Sequence, residues 1–439
     1  MSVVSADVLL WGSVTGALYW DSARSLGFFE YAPSFLGAPV EIAPLTMPRA
    51  AGIFSFPELP RQTFKGLPGL LADSLPDKFG NAVIDRWLAE RGRLPESFSP
   101  VERLCYIGSR GMGALEFRPA IREATEGSTP LDLAELVQLA NRVLSDRSGL
   151  RTSLQDGGPS ALDAILSVGT SAGGARAKAV VAWNRDTGEL RSGQTPAPAP
   201  FEYWIVKFDG VTGNADKELG DPRGFGRLEY AYHLMARAAR IDMTECRILE
   251  EGGRAHFMTK RFDRTDAGGK IHMQSLCAIA HYDFNLAGAY GYEQAFMTVK
   301  RLRMEALAEK NALEQLFRRM AFNLMARNQD DHTKNIAFLM DRSGAWRLAP
   351  AYDLTFAYNP AGAWTSSHQM SVNGKRDGFS ADDLMAAAAV ADLRPPRARS
   401  ILAEVAEAVA AWPRFASEAG VPKDWADAVA SVHRRELAR

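Results

Sequence analysis

A polar hexapeptide late in the chain, from Asp330 to Asn335, holds side chains whose types and spacing could do chemistry. Its Asp330 and Asn335 stand five positions apart, the separation found in the catalytic loop of phosphotransferases of the protein-kinase type. Phosphoryl transfer needs little covalent help from a protein, which must align two oxygens and neutralise charge on the phosphates. The spacing therefore predicts that Asp330 accepts a hydroxyl proton and that Asn335 binds Mg²⁺.

A further carboxylate follows a predicted hairpin, whose strands cover 336–340 and 346–348. Asp353 comes shortly after this hairpin, where kinase folds place a metal-binding aspartate. Asp and Asn are also common in turns without any function, but the spacing, the hairpin and the terminal Asp together favour a metal site. His332 has no second histidine within helical or strand reach, so we interpret it as a side chain that supports the loop.

The lysine that such a site requires is predicted at Lys207, near the end of a strand that covers 203–208. Alternation along this strand places three apolar side chains on one face and Lys207 on the other. A charge on an otherwise apolar strand must meet an anion or reach water. We interpret Lys207 as a ligand of nucleotide phosphate, oriented by Glu229 of the following helix. The alternative is a strand-end lysine that reaches solvent.

Small residues fill the segment from Thr170 to Lys178, between predicted strands at 164–168 and 178–183. Gly and Ala allow backbone N–H groups to approach phosphate oxygens closely. The segment is not a Walker A loop, because no Gly-Lys-Ser/Thr follows it, and a glycine-rich hairpin turn is the alternative interpretation. We predict a phosphate-binding loop with contacts from Gly173, Gly174, Ala175, Arg176 and Lys178.

The elements that must position these residues follow one another in a simple order. Residues 7–120 are predicted to form short strands with one helix from Asp77 to Arg91. Residues 164–262 are rich in predicted strands, interrupted by a helix whose apolar residues recur from Leu228 to Ala239. Residues beyond about 275 are mostly helical in pattern. A sheet-rich lobe therefore precedes a helical lobe.

The chain of 439 residues exceeds the size at which a single hydrophobic core keeps growing, so we expect several units. The order of elements predicts an α+β, bilobal protein-kinase-like fold. Its three predicted units are an N-terminal α+β subdomain, a kinase N-lobe with the phosphate loop and the lysine, and a mostly helical C-terminal lobe, at 1–120, 121–265 and 266–439.

Composition and charge narrow the classes of function. A net charge of -1 and an isoelectric point near 6.7 give no global attraction to nucleic acid or to an anionic membrane. The 3 cysteines are far apart and form no zinc-binding pattern. The first basic residue is Arg24, and no apolar run reaches the ~18 residues of a membrane span. We expect a cytoplasmic protein without a signal peptide and without membrane contact.

Taken in order, these motifs resemble the HipA-type serine/threonine kinases, the toxins of bacterial toxin–antitoxin pairs. The resemblance extends over nearly the whole chain and includes segments before the kinase core. The segments that carry it are Val14–Leu18, Phe29–Tyr31, Leu75–Asp77, Ile107–Leu115, Ser171–Lys178, Trp204–Phe208, Leu228–Tyr230, Lys260–Arg264, Asp330–Asn335 and Tyr352–Asp353.

The resemblance implies ATP and Mg²⁺ as cofactors, with Asp330 as the proton acceptor and Asn335 and Asp353 as the metal ligands. It also implies autophosphorylation at Ser171. A dianionic phosphate at Ser171 would repel the phosphates of ATP, which makes self-inactivation physically reasonable. Beyond the phosphate loop, the implied nucleotide contacts are Lys207, Glu229, an adenine hinge formed by Lys260, Arg261 and Phe262, and the side chains of His332 and Tyr352.

The resemblance also implies partners. Members of this family phosphorylate proteins, aminoacyl-tRNA synthetases among them, and bind a small helix-turn-helix antitoxin that carries most of the DNA recognition. We therefore expect a protein substrate, such as a component of translation, and a HipB-like antitoxin. Contact with DNA is expected only through that antitoxin.

Three features depart from the family pattern. Asp331 stands where many members have glycine, so two adjacent carboxylates compete for the role given to Asp330. Lys260 replaces a hinge residue that is usually acidic, and it would contact adenine only through its backbone. The segment Met273–Ala278 lacks the expected Gln-Glu-Asp run, so the choice of substrate stays open.

Two other functions compete with a HipA-like kinase. A small-molecule phosphotransferase of the aminoglycoside- or choline-kinase type also uses an Asp and Asn pair, but it explains the first 120 residues poorly. A catalytically weak kinase, kept as an antitoxin-binding module, is the second alternative. The presence of Lys207, Asp330, Asn335 and Asp353 argues against this alternative.

Overall fold

The computed structural model describes residues 4–121, 130–145, 176–211 and 224–438. Within these ranges the chain forms two five-stranded sheets and one three-stranded sheet, all antiparallel. The predicted strand at 164–168 lies outside the described residues, and so do residues 170–175 of the predicted phosphate loop, among them Ser171, Gly173, Gly174 and Ala175.

The first sheet has one face covered by helices, and its longer strands alternate between buried and exposed side chains accordingly. Its strands are β1 (Ser5–Leu10), β2 (Ser13–Asp21), β3 (Leu26–Tyr31), β4 (Ile53–Phe54) and β5 (Leu115–Arg118). Their spatial order is β4-β3-β2-β1-β5. Between β4 and β5 the chain forms the helices α1 (Arg61–Phe64), α2 (Gly69–Ala72), α3 (Lys78–Glu90) and α4 (Pro100–Ile107).

The second sheet carries the predicted lysine. The helix α5 (Leu133–Ser145) comes before it, and its strands are β6 (Lys178–Trp183), β7 (Leu190–Ser192), β8 (Glu202–Lys207), β9 (Cys246–Glu251) and β10 (Arg254–Lys260). Their order is β7-β6-β8-β10-β9. In β8 the side chains of Trp204 and Val206 are buried and that of Lys207 is partly exposed, as alternation predicts. The helix α6 (Phe225–Ala238) packs on β9 and β10.

The C-terminal part is mostly helical, as predicted, around one small sheet. The strands β11 (His272–Ser275), β12 (Ala337–Met340) and β13 (Trp346–Leu348) are adjacent in that order. The helices are α7 (Leu276–Ala280), α8 (Tyr292–Arg301), α9 (Ala306–Met325), α10 (Ala381–Val390), α11 (Pro395–Ala410), α12 (Trp412–Glu418) and α13 (Lys423–Ser431). The helix α9 buries apolar residues along its length, among them Leu316, Phe317 and Met320, and it ends shortly before Asp330.

This arrangement confirms the α+β prediction and several of its elements. The helix predicted from Asp77 to Arg91 is α3, and the predicted hairpin is formed by β12 and β13. Asp77 begins α3 by accepting a hydrogen bond from the N–H of Gly80 at 2.6 Å, a common way to start a helix. Among the described residues, every helix is too short or too polar to cross a membrane.

Asp263, in the loop after β10, joins the second sheet to the N-terminal unit, by which we mean residues 4–121. Its carboxylate accepts a hydrogen bond from the N–H of Gly113 at 2.7 Å. It also accepts hydrogen bonds from Arg261 at 2.8 and 2.7 Å and from Arg264 at 2.8 Å. Burial by itself raises the pKa of Asp263, but the two guanidinium groups lower it well below its usual range.

We expect Asp263→Asn to lower the free energy of unfolding by about 3–5 kcal/mol, because it leaves buried guanidinium charge without its counter-ion. Asp266→Asn is the matched control, since the side chain of Asp266 is 89% exposed and pairs with Lys260 at the surface. Such a surface pair contributes about 0–1 kcal/mol. Urea titrations of both variants and the parent measure these losses.

The difference in unfolding free energy between the parent and Asp263→Asn depends on pH. Because the pKa of Asp263 is lower in the folded protein, the stabilisation is fully present above the unfolded value of about 4. It is lost as the pH falls from there toward the folded pKa. The gap between parent and Asp263→Asn should therefore be smaller at pH 3 than at pH 7. Equal losses for both variants at pH 7 would contradict the assignment.

Candidate active site

The ammonium group of Lys207 is held between two carboxylates from different parts of the chain. Its Nζ donates a hydrogen bond to Oε1 of Glu229, on α6, at 2.5 Å. It also donates to Oδ1 of Asp353, which lies 146 positions away in the loop after β13. The side chains of Lys207 and Glu229 are 14% and 2% exposed, so little water competes for these contacts. The structure thus brings together three residues predicted from separate motifs.

The charge on each of these groups depends on its neighbours. Burial by itself lowers the pKa of Lys207, but the carboxylates of Asp353 and Glu229 raise it above the usual range of lysine. Burial also acts to raise the pKa of Asp353, but the ammonium groups of Lys207 and Lys178 lower it to about 2. Both Lys207 and Asp353 are therefore charged at neutral pH, and an ionised carboxylate is a ligand that Mg²⁺ accepts.

The loop that carries Asp353 is tied to the hexapeptide. The backbone of Asp353 has a φ of 53°, in the left-handed region that few non-glycine residues adopt. Conformations of this kind concentrate at functional sites. The hydroxyl of Tyr352 donates a hydrogen bond to the carbonyl of Lys334 at 2.6 Å, and its ring lies 5.5 Å from that of Phe262. Three predicted regions, the hinge, the hexapeptide and the metal-ligand loop, therefore meet at Tyr352.

Asp330 keeps part of its side chain at the surface, with 37% of it exposed. Its Oδ1 accepts a hydrogen bond from the indole Nε1 of Trp364 at 2.7 Å. The Nε2 atom of His332 lies 3.8 Å from the same oxygen. Asp330 therefore presents an accessible oxygen to N–H donors, and a base for a hydroxyl group needs the same accessibility.

Asp331 turns the other way, into the interior, where its side chain is 1% exposed. It accepts hydrogen bonds from the hydroxyl of Tyr292 at 2.9 Å and from the N–H of Gln369 at 2.8 Å. The Nδ1 atom of His368 lies 3.0 Å from its Oδ2. Asp331 therefore anchors the loop, and Asp330 is the exposed carboxylate of the pair.

Asn335 is oriented by the hexapeptide itself. Its Nδ2 donates a hydrogen bond to the carbonyl of Asp330 at 2.9 Å, which turns the amide oxygen of Asn335 away from that carbonyl. Among the described residues, no three His, Cys, Asp or Glu side chains are grouped so that they could hold a metal. A Mg²⁺ ion at a nucleotide site usually has one or two protein ligands, with water and phosphate oxygens as the others. Asn335 and Asp353 fit that donor set.

Two of the predicted contacts of the phosphate loop, Arg176 and Lys178, lie within the described part of the chain. Lys178 begins β6 and lies 3.7 Å from Asp77, measured from its Nζ to Oδ2. The guanidinium of Arg176 stacks over the ring of Phe225, 3.4 Å from its centroid. Lys178 also lies close enough to Asp353 to lower its pKa, so it belongs to the same cluster of charges as Lys207.

The predicted hinge residues are engaged in internal contacts. The Nζ of Lys260 pairs with Glu202 at 2.9 Å and with Asp266 at 3.0 Å, so its side chain points to the surface. The backbone N–H of Lys260 donates to the carbonyl of Glu245, and the N–H of Arg261 donates to that of Tyr203. The side chain of Arg261 is bound to Asp263. These N–H groups would therefore have to leave their present partners to contact adenine.

Some residues of the site carry no signal in the sequence. Trp364 contacts Asp330 across 34 positions, and the partners of Asp331 are as distant as Tyr292 and Gln369. His332 lies near the rings of Phe284 and Trp364, at 5.3 and 6.5 Å. Contacts over such separations are set by how the chain folds, and no local spacing predicts them.

Two family models match this chain, one in its N-terminal part and one in the rest. The HipA N-terminal domain matches residues 6–118, and the HipA-like C-terminal domain matches residues 170–412. The second match alone covers more than half of the 439 residues. The chain belongs to the HipA family. The sequence-based resemblance is thereby confirmed.

Individual relatives agree with membership of the HipA family. A candidate kinase called Y4mE, from Sinorhizobium fredii (strain NBRC 101917 / NGR234), is 26% identical over 386 residues, which are 82% of this chain and 79% of Y4mE. HipA of Shewanella oneidensis MR-1, solved in a complex with HipB and operator DNA, is 18% identical. The structural match covers 99% of this chain and 96% of the Shewanella chain, with a TM-score of 0.66. The two proteins therefore share a fold.

A second solved structure overlaps only in part. The match to the Helicobacter pylori proinflammatory kinase CtkA covers 54% of this chain and 89% of CtkA, at 12% identity and a TM-score of 0.34. A score of that size supports no detailed comparison. The predicted α+β kinase-like fold of the HipA family is confirmed by the sheets and helices described above together with the match to Shewanella HipA.

We expect Asp331→Asn and Asp330→Asn to differ in their effect on stability. Asp331→Asn places an amide group against buried donors, which costs about 1–3 kcal/mol. Asp330→Asn changes a partly exposed side chain, for which a change within about 0.5 kcal/mol is usual. Urea denaturation of the two variants measures the difference. A larger loss for Asp330→Asn would contradict the division of roles between the two carboxylates.

Proposed function

We propose that this HipA-family protein is a serine/threonine kinase that transfers the γ-phosphoryl group of ATP to a protein hydroxyl. The observation that carries the proposal is the contact of Lys207 with both Glu229 and Asp353. In protein kinases a strand lysine of this kind is oriented by a helix glutamate and binds nucleotide phosphates, beside an aspartate that binds Mg²⁺. The charged cluster supports a nucleotide-phosphate site more directly than any other function considered.

The residues of this chain would divide the work of transfer. Asp330 accepts the proton of the acceptor hydroxyl, while the hydroxyl oxygen forms a bond to the γ-phosphorus. The bond from that phosphorus to the bridging β,γ-oxygen breaks, and ADP leaves. Lys207 neutralises phosphate oxygens, and Glu229 keeps it in place. A bound Mg²⁺, held by Asn335 and Asp353, would supply further neutralisation of phosphate charge.

The proposal includes the remaining predicted nucleotide contacts. Ser171 is the proposed site of autophosphorylation, where a dianionic phosphate would repel ATP. Tyr352 is adjacent to Asp353, and Lys178 lies in the same cluster of charges, which supports their proposed place beside the phosphates. The other proposed contacts are Gly173, Gly174, Ala175, Arg176, Lys260, Arg261, Phe262 and His332.

We extend the proposal to partners and cellular role. The Shewanella HipA that shares the fold of this chain was solved with HipB and operator DNA. By analogy, we propose a HipB-like antitoxin that restrains a growth-arresting kinase and that carries the contact with DNA. The proposed substrate is a cytoplasmic protein of the translation machinery, such as an aminoacyl-tRNA synthetase.

The two competing functions receive less support. A small-molecule phosphotransferase leaves the N-terminal unit without a role, whereas here that unit contacts the kinase-like part at Asp263 and Lys178. A catalytically weak binding module has no need of a lysine held between two carboxylates, because an unused buried charge is costly to keep.

We expect purified parent protein to gain the mass of one phosphate after incubation with Mg²⁺ and ATP, with the modification at Ser171. In Asp330→Asn the transfer should be slower by about 10²–10⁴-fold, the contribution of a positioned general base. Intact-mass measurement over time, followed by peptide mapping, gives both values. An Asp330→Asn variant that is modified as fast as the parent would overturn the role of Asp330.

Nucleotide binding is expected to depend on Lys207 and not on the side chain of Lys260. At about 100 times its dissociation constant, MgATP should stabilise the parent by about 2.7 kcal/mol. Lys207→Met should lose most of this gain, because the charge that faces the phosphates is removed. Lys260→Met is the control, since its Nζ is bound at the surface. Thermal unfolding of each protein with and without MgATP measures this stabilisation. An equal stabilisation of the parent, Lys207→Met and Lys260→Met would contradict the role of Lys207.

A further inference from the structure

A carboxylate of the N-terminal unit reaches into the cluster of charges around Lys207. Asp77 lies just before α3, and its side chain is 6% exposed. Its Oδ2 lies 3.7 Å from Nζ of Lys178, whose side chain is 4% exposed. Asp77 and Lys178 belong to different units of the fold, so their approach is a product of how the N-terminal unit packs on the second sheet.

The two oxygens of Asp77 have different tasks. Oδ1 accepts the hydrogen bond from the N–H of Gly80 that begins α3. Oδ2 is buried and faces the ammonium group of Lys178 at 3.7 Å. Helix capping therefore explains only one oxygen, and the second is directed at the lysine of the phosphate loop.

A buried lysine needs such a partner to stay charged. Burial lowers the pKa of Lys178, and the carboxylates of Asp77 and Asp353 oppose that effect. Burial raises the pKa of Asp77 to about 6, and the ammonium groups of Lys178 and Lys334 oppose it. Each charge of the Asp77–Lys178 pair thus supports the other in a place that water hardly reaches.

The pair extends the contacts of Lys207 into a series of alternating charges. The series runs from the N-terminal unit through the proposed phosphate loop to α6. Asp353 lies at its centre and attracts both lysines. Its members in order are Asp77, Lys178, Asp353, Lys207 and Glu229. One end of the series is therefore contributed by a part of the chain that lies outside the kinase-like lobes.

We propose that Asp77 is a positioning residue through which the N-terminal unit holds the side chain of Lys178 in place for the phosphates of ATP. The inference rests on the proposed function, because it takes the phosphates as the partners of Lys178. It goes further by making the N-terminal unit a part of the nucleotide site. With Asp353 engaged as a metal ligand, Asp77 would remain as a carboxylate that faces Lys178.

The test uses Asp77→Asn in the whole chain, with ATP and adenosine as probes. Asparagine keeps the oxygen that accepts the hydrogen bond from Gly80 and is as good a helix cap as aspartate, so the variant removes charge and retains α3. We expect MgATP to bind about tenfold more weakly, which corresponds to about 1.4 kcal/mol. Adenosine, which has no phosphate, should bind as it does to the parent. Titration calorimetry measures both ligands.

Two further variants separate positioning from a general loosening of the fold. In a Lys178→Met background, Asp77→Asn should have no additional effect on MgATP, because its partner is already absent. Asp73→Asn is the matched control. Asp73 also belongs to the N-terminal unit, and its carboxylate accepts hydrogen bonds from Ser275 at 2.7 Å. Its replacement should leave the ratio of ATP affinity to adenosine affinity unchanged. If Asp77→Asn does not fold, Asp77→Ser, which also caps a helix, takes its place.

The outcomes distinguish this inference from the proposed function. If the parent binds no MgATP, the proposed function fails and the inference fails with it. If the parent binds MgATP and Asp77→Asn binds it equally well or more tightly, only the inference is overturned, because the negative charge of Asp77 then does no more than repel phosphate. A parallel loss of ATP and adenosine binding would overturn it as well and indicate a structural role for Asp77.

Discussion

The need to compensate a buried ammonium group governs how the parts of this protein meet. Lys207 stands on a strand whose opposite face is core, and so its charge must be matched where water hardly reaches. Glu229 supplies one counter-charge from α6, and Asp353 supplies the other from the loop after β13. The sheet, the helix and the C-terminal loop are thereby held in one arrangement. That arrangement is also the one in which protein kinases bind nucleotide phosphates and metal.

The N-terminal unit is joined to the rest of the HipA-family fold by the same kind of interaction. The buried carboxylate of Asp263 accepts hydrogen bonds from Gly113, Arg261 and Arg264. Asp77 brings a carboxylate from the N-terminal unit to Lys178. Buried ion pairs of this sort are weak sources of net stability but strongly penalise any arrangement that separates the partners. They therefore fix the position of the unit more than they contribute to its folding energy.

Two adjacent aspartates combine, in one short loop, a buried anchor with a partly exposed carboxylate. Asp331 is surrounded by donors from α8 and from the segment around His368 and Gln369, and this holds the loop. Asp330 can then keep a partly exposed carboxylate in a constant place, with Trp364 and His332 beside it. A base needs both conditions, since an unsupported loop would not hold its geometry and a fully buried carboxylate would not reach a substrate.

Local spacing in the sequence determined the strand that carries Lys207, the helix that begins at Asp77, the hairpin before Asp353 and the separation of Asp330 from Asn335. Periodicity and turn chemistry act over a few residues, and a sequence shows them directly. Only the tertiary structure decided which of Asp330 and Asp331 is exposed, and that Asp77 faces Lys178. Those outcomes depend on packing between units distant in the chain, where each charge takes the partner that the whole fold brings to it.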